Sequence, residues 1–224
     1  MSQDQEKKLA AEAAADMVED GMVVGLGTGS TALFALKRLG ERARGGLRMQ
    51  GVPSSNWAAE TARSEGIPII GFETVQRLDM ALDGADEFDP GLNLVKGGGG
   101  ALFREKIVAA AAEKLVIFAD STKQVDVLGA FPLPVEVNPF GWQVAARKIS
   151  ELGAQVDLRG GEASPFISDN QGYILDCRFG AIPDPANLEA RLSAIVGVME
   201  TGLFINMTHT VVLARGDKVE TLQR

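Results

Sequence analysis

The sequence is nearly empty of the side chains that usually carry redox and imidazole chemistry. Among 224 residues there is one cysteine, Cys177, and one histidine, His209. A lone cysteine excludes an internal disulfide and cannot by itself build a cysteine metal cluster. Within YILDCRF, Cys177 reads as a buried small hydrophobe in a reducing compartment. His209, in NMTHTVVL beside a predicted strand, reads as structural, so acid–base chemistry falls to carboxylates and lysines. A basic block is also missing. Lys and Arg number 22 against 30 Asp and Glu, a net charge of −8, which argues against a phosphate-backbone partner. Apolar runs are short and broken by charge or glycine, so no membrane span is expected. The opening MSQDQEKK lacks the basic start and apolar core of a signal peptide, and the expected location is cytoplasmic.

What the chain does have is glycine, concentrated where it matters in Lys96–Lys106, KGGGGALFREK. Gly97, Gly98, Gly99 and Gly100 lack a Cβ, so this backbone can pass through positive φ and lie against a ligand. The Ala-rich run that follows, Ala101–Ala112, predicts a helix whose free N–H groups and dipole favour negative charge. Lys96 stands before the loop and Glu105 just over one turn into the helix. A cation, a bendable backbone and a carboxylate suit an anionic substrate that loses and regains a proton. The plainer reading, solvated charges beside a flexible turn, leaves the entropy of ordering four glycines without compensation.

With 46% hydrophobic residues, the chain is long enough for one large or two modest globular domains. Asp4–Glu19 predicts a helix with Gly21 as its C-cap, Lys7 and Lys8 riding at its start. Met22–Leu26 predicts a buried strand, followed by Gly25-Leu26-Gly27-Thr28-Gly29-Ser30-Thr31 and a helix Ala32–Leu39 stopped by Gly40. Strand, glycine turn and helix place N–H groups around a phosphate, and Ser30 and Thr31 add hydroxyls at the cap. The pattern departs from the dinucleotide fingerprint. Ser30 stands where the third glycine would, and the LRMQGV strand runs into Pro53-Ser54-Ser55 without an acidic residue for a ribose hydroxyl.

Asn56–Glu65 predicts a helix, Ile67–Phe72 a strand, and Met80–Leu82 a strand reaching Asp83-Gly84-Ala85-Asp86-Glu87. The two carboxylates, three residues apart, suit acid–base work in one pocket, a hydrated turn or a divalent-metal site. Lys114–Ala119 predicts another strand, ending in Asp120-Ser121-Thr122-Lys123. Alternating strands and helices indicate a doubly wound, mostly parallel, Rossmann-like sheet, with ligands at the carboxyl ends of its strands.

Beyond Phe131 the texture changes. Strands at Pro132–Val137 and Gln155–Leu158, a hairpin of Pro165–Ser168 with Tyr173–Arg178, helices at Gly141–Leu152 and Pro185–Ile195, and a strand at Val198–Phe204 give β-α-β-β-α-β. That order is a ferredoxin-like α+β domain. Thr210–Ala214 then returns to the first sheet. The expected division is residues 1–130 plus 205–224 as a catalytic α/β domain, interrupted by residues 131–204 as a small α+β domain and oligomer contact.

Taken together, GLGTGST, DGADE, KGGGGALFREK, DSTKQVDVLG, PLPVEV, LRGGEASPFISDNQGYILDC and METGLF resemble, in order and over nearly the whole chain, the A-type ribose-5-phosphate isomerases. The resemblance implies interconversion of D-ribose 5-phosphate and D-ribulose 5-phosphate in the pentose phosphate pathway, without a cofactor or metal. It implies that Glu105 moves a proton between C1 and C2, that Asp83 and Asp86 serve ring opening and proton movement on the sugar oxygens, and that Lys96 supports the enediolate. It assigns substrate binding to Thr28, Gly29, Ser30 and Thr31, to Gly84 and Ala85, to Gly97, Gly98 and Gly99, and to Lys123 and Lys7. A homodimer or homotetramer is expected, since the small α+β domain is a natural contact surface and homo-oligomers are common. The competing readings are a sugar-phosphate-binding regulatory module, against which stands the lack of a basic helix-turn-helix, and a different sugar-phosphate enzyme on the same fold.

Overall fold

The computed structural model describes residues 2–224. In chain order its elements are α1 (Gln3–Ala15), β1 (Val23–Leu26), α2 (Ser30–Arg44), β2 (Gln50–Pro53), α3 (Asn56–Ser64), β3 (Met80–Asp83), β4 (Glu87–Phe88) and β5 (Leu94–Val95). There follow α4 (Leu102–Ala111), β6 (Leu115–Asp120), a 3₁₀ turn at Ser121–Lys123, β7 (Leu133–Val137), α5 (Trp142–Ser150), β8 (Gln155–Leu158), β9 (Tyr173–Arg178), α6 (Pro185–Ser193), β10 (Val198–Thr201), β11 (Leu203–Phe204), β12 (Thr210–Arg215) and β13 (Lys218–Gln223). No described helix is long and apolar enough to cross a membrane.

Two compact units result: Met1–Ala85 with Arg104–Gln124 and Met207–Arg224, and Asp86–Phe103 with Val125–Asn206. The second takes in Asp86–Phe103 and residues 125–130 and 205–206, which the expected division gives to the first.

The first unit holds a six-stranded sheet ordered β13-β12-β6-β3-β1-β2, parallel except for β13. Side-chain alternation along its strands explains the double winding. Val24 and Leu26, Met80 and Leu82, and Val116 and Phe118 pack into one core with Ala10, Ala14, Leu36 and Leu39 of α1 and α2. The intervening Gly25 and Ala81 face the other way, where Val108 of α4 comes so close that a Cβ on Gly25 would lie 2.4 Å from its Cγ1. Each fully buried leucine in this core contributes about 1.5–3 kcal/mol of burial free energy. Helix α1 begins with a reciprocal cap between Ser2 and Gln5, and Ser55 caps α3 by accepting from Ala58 N at 2.9 Å.

Three expectations are corrected in this unit, and one strand is added. Helix α1 stops at Ala15 with Asp16 as C-cap, so Gly21 lies beyond the cap. Gly40 does not end α2 but sits inside it, because a Cβ there would lie 2.7 Å from Glu65 Cβ; it is a contact glycine between neighbouring helices. Ile67–Phe72 forms no ladder strand, only a bridge from Ile69 to Gly51, since Pro68 offers no donor. The hairpin strand β13 was not foreseen.

The second unit contains an antiparallel sheet ordered β10-β7-β9-β8, with α5 and α6 as its helices, in the β-α-β-β-α-β order expected. Val135, Val137, Leu175 and Cys177 meet Ala145, Ile149 and Leu192 in its core. Burial and the nearby Asp176 and Asp157 charges push the Cys177 thiol upward, making it an inert core residue as expected. The anticipated hairpin shrinks to one bridge between Ile167 and Tyr173, because Ser168 Oγ is engaged by Glu136 at 2.5 Å while β9 pairs with β7 and β8. The expected strand Val198–Phe204 divides at Gly202. β10 joins β7, and β11 joins a three-stranded ribbon ordered β11-β5-β4 that the sequence did not suggest.

Candidate functional site

In the first unit, the sequence-predicted polar groups gather along the carboxyl edge of the parallel strands. β1 leads into Gly27–Thr31, β2 into Ser54 and Ser55, β3 ends on Asp83, and β6 runs into Asp120–Lys123. The glycines of the first turn each answer a specific demand. A Cβ on Gly27 would sit 2.2 Å from Asp83 Oδ1 and 2.7 Å from Asp83 Cα, and Gly29 has φ +111° as the N-cap of α2. With no side-chain cap on α2, its first N–H groups are left to a ligand or water. Ser30 and Thr31 open the helix, Ser30 exposed and Thr31 half-buried.

Asp83 is buried, and its Oδ1 accepts from Thr28 N at 3.2 Å and Gly84 N at 2.8 Å. The turn after β1 and the end of β3 are thereby fastened to each other. Thr28 Oγ1 meets Ser54 Oγ at 2.9 Å and donates to Ser55 Oγ at 2.8 Å. These two serines are parts of the site that sequence reasoning missed. The usable signal was their place immediately after a parallel strand.

Glu105 sits in the first turn of α4 and is only 5% exposed. Because α4 feeds the parallel strand β6, its start lies at the carboxyl edge of the sheet, where Arg104 donates to Asn56 Oδ1 at 3.1 Å. Lys123 closes the 3₁₀ turn after β6. Lys7 lies on α1, its Nζ 3.5 Å from Asp4 Oδ1. The residue before it, Glu6, ties that helix to the same edge. Its carboxylate accepts from Ser121 Oγ at 2.7 Å, Gly216 N at 2.7 Å and Ser121 N at 2.9 Å. These bonds, led by the Ser121 hydroxyl, hold its pKa down at about 2. His209 is structural as expected: Leu115 N donates to its Nδ1 at 3.1 Å, and its own N–H returns to Leu115 O at 3.0 Å.

In the second unit, the ribbon organises a further set of the predicted groups. Glu87 pairs with Val95, so the antiparallel register sets Asp86 opposite Lys96. Asp86 N donates to Val95 O at 2.8 Å, and Lys96 N donates to Gly202 O at 2.8 Å. Lys96 is 3% exposed, its Nζ 5.5 Å from the centre of the Phe204 ring. Gly97 and Gly100 have φ +105° and +78°, conformations that favour glycine, while Gly98 and Gly99 are exposed. Gly98 N donates to Asp86 Oδ2 at 2.7 Å. Glu87, the last residue of DGADE, is structural: its carboxylate accepts from Gly129 N at 2.8 Å and from Phe131 N. Ala85, which belongs to the first unit, is half-buried. Among the described residues, no group of three or more His, Cys, Asp or Glu is placed to hold a metal ion.

Comparison with known proteins bears on this arrangement. Residues 50–218 match the family model described as ribose 5-phosphate isomerase A (phosphoriboisomerase A). The chain is 53% identical over 218 residues to ribose-5-phosphate isomerase A of Gloeobacter violaceus, covering 96% of this chain and 95% of that protein. It is 51% identical over 218 residues to ribose-5-phosphate isomerase A 1 of Oceanobacillus iheyensis, covering 97% of each. A solved D-ribose-5-phosphate isomerase in complex with phospho-erythronic acid superposes with a TM-score of 0.96 at 40% identity, over 100% of both chains. The ribose 5-phosphate isomerase A structure from Methanocaldococcus jannaschii gives a TM-score of 0.94 at 39% identity, again over 100% of both.

Proposed function

The chain belongs to the ribose 5-phosphate isomerase A family, and we propose that it interconverts D-ribose 5-phosphate and D-ribulose 5-phosphate through an enediolate, using side chains alone. The observation that carries the mechanism is the burial of three charged residues: Lys96 is 3% exposed, and Asp83 and Glu105 are each 5% exposed. Folds seldom keep such charges from water without a use for them.

In this reading an aspartate, Asp83 or Asp86, first moves the anomeric hydroxyl proton to the ring oxygen, opening the sugar. Glu105 then removes the proton on C2. The electron pair of that bond forms C1=C2, and the carbonyl π electrons move onto O1 as the enediolate charge. The Lys96 ammonium and the Gly97–Gly99 backbone balance this charge, which exists only along the reaction path. A proton passes from O2 to O1 with an aspartate as relay, C2=O forms, and Glu105 returns its proton to C1.

The phosphate is assigned to the α2 start, with Thr28, Gly29, Ser30 and Thr31, assisted by Lys7 and Lys123. Held there, away from the reacting carbons, it orients them. That a solved relative was captured with a phosphorylated four-carbon acid supports a phosphosugar of this size. The test is incubation of EDTA-treated protein with ribose 5-phosphate while ketose is measured. Steady formation is expected, and its absence overturns the reading. Glu105→Gln is expected to bind substrate but lose about 10²–10⁴-fold in kcat, the range for a general base.

Two further assignments belong to this reading. The enzyme is placed in the cytoplasm, in keeping with a free, buried Cys177. It is also read as a homodimer or homotetramer joined through the small α+β domain, where Phe140 and Val196 are each 94% exposed and Val144 is 56% exposed. Sedimentation at several concentrations tests this; a strict monomer overturns it.

A further inference from the structure

Arg159, in the LRGG stretch just after β8, commits its whole guanidinium within the second unit. Its Nε donates to Asp176 Oδ2 at 3.0 Å and its Nη2 to Asp176 Oδ1 at 2.5 Å, a two-pronged pairing that fixes the plane of the group. Its Nη1 then donates to two consecutive carbonyls of the glycine loop, Gly97 O at 3.0 Å and Gly98 O at 3.1 Å. Its carbon lies 5.7 Å from the centre of the Phe166 ring. That ring also presses on the loop, since a Cβ on Gly100 would lie 2.4 Å from it. The pair is largely enclosed, with side-chain exposures of 18% for Arg159 and 22% for Asp176.

A trans peptide points its N–H opposite to its carbonyl. Anchoring the Gly97 carbonyl therefore aims Gly98 N–H away from Arg159, where it meets Asp86 Oδ2 at 2.7 Å. Anchoring the Gly98 carbonyl aims Gly99 N–H by the same rule. Consecutive glycines have almost no steric preference of their own between peptide orientations. Arg159 supplies that preference from the carbonyl side.

We infer that Arg159 is a positioning residue for the isomerisation: braced by Asp176 and Phe166, it sets the peptide orientation of Gly97–Gly99 and, through Gly98 N–H, the place of the Asp86 carboxylate. The inference rests on the isomerase reading above. It assigns Arg159 no contact with substrate. Its removal allows the loop peptides to turn over, so a fraction of molecules lose the Gly98 N–H that holds Asp86 and the set direction of the Gly99 N–H.

The experiment compares wild type, Arg159→Ala, Arg159→Lys and Asp176→Asn. Ribose 5-phosphate kinetics, backbone amide exchange across 96–101 without substrate, and thermal melting are measured on each. Arg159→Ala is expected to lose at least about tenfold in kcat with a smaller change in KM, as misplacement of reacting groups does. Amide exchange across 96–101 is expected to quicken. Added guanidinium ion, at concentrations that leave the wild type unchanged, is expected to restore part of kcat where ammonium does not. Arg159→Lys is expected to stay impaired, because one ammonium cannot hold both Asp176 and two carbonyls. Asp176→Asn keeps the shape of the pair and is expected to show a milder kcat loss, so it tests the brace even where Arg159→Ala folds poorly. Unchanged kcat and exchange, or equal loss with no guanidinium rescue, overturns the inference. A wild type that forms no ketose overturns the isomerase reading instead, while the exchange measurement still reports on the brace.

Discussion

The chain contains two glycine turns that each lead into a helix, Gly25–Thr31 into α2 and Lys96–Gly100 into α4, and they are ordered by different means. The first is packed against the backbone of its own sheet, with the Asp83 carboxylate and the Ser54 and Ser55 hydroxyls bonded to Thr28. Neighbouring strands and helices leave no room for a Cβ on Gly25 or Gly27, with Asp83 Cα 2.7 Å from where one would stand on Gly27, while Gly29 has open space and a positive φ. The second is held by side chains. Asp86 takes the Gly98 N–H, Arg159 takes the Gly97 and Gly98 carbonyls, and Phe166 lies against Gly100. A turn locked by its own sheet suits a group that binds a fixed anion. A turn held by charged side chains can share their electrostatics with a reaction.

After Glu105→Gln, the largest expected effect lies beside the second turn. Lys96→Ala is expected to reduce kcat by about 10²–10³-fold while changing KM much less, because the charge it balances develops on the reaction path. Steady-state kinetics on ribose 5-phosphate measures the split. A rise in KM with intact kcat would instead make Lys96 a substrate-binding residue, and the second turn would then be a second anion holder like the first.

Next come matched alanines in the two turns. Gly27→Ala drives a Cβ into Asp83 backbone that cannot yield, and is expected to cost about 1–3 kcal/mol of stability, the range for overpacking. Gly98→Ala meets only the end of a flexible side chain, Asp86 Oδ1 at 2.6 Å, and Gly98 does not have positive φ. It is expected to leave the melting temperature within a few degrees while lowering kcat about tenfold by displacing Asp86. Melting curves and kinetics on both proteins decide the matter. If both variants lose stability alike, the distinction between backbone-held and side-chain-held turns fails.

That distinction also explains what could be read from sequence. Strands running into glycine or acidic turns were legible because burial pattern and turn chemistry agree there: Met80–Asp83, Leu115–Asp120 and the order of the small α+β domain followed. Asp83, Lys96 and Glu105 could be picked out as candidates because each stands beside such a turn, and the structure buries all three. The misses share a cause, since each depends on a partner distant in sequence. Gly40 looked like a helix stop because Glu65, which crowds it, is on another helix. The two-residue strands β4, β5 and β11 are too short to show any period. Ser54 and Ser55 became site residues only once Thr28 was seen to reach them.

The smallest expected effect concerns a third way of holding a site group, a buried carboxylate that ties one helix to two turns. Glu6 accepts from Ser121 and from Gly216, which ties α1, the helix that carries Lys7, to the 3₁₀ turn that ends in Lys123. Its pKa falls from 4.5 to about 2 on folding. A carboxylate with a depressed folded pKa adds stability that is complete above the unfolded value and disappears as pH falls toward the folded one. Glu6→Gln is therefore expected to lower the melting temperature at pH 6–7, by an amount that shrinks below about pH 4.5 and vanishes near pH 2. Melting curves of both proteins across that range measure it. A gap that stays constant with pH would mean the glutamine loses packing rather than charge. Lys7 would then owe its place to the helix alone, as the first turn owes its shape to the sheet.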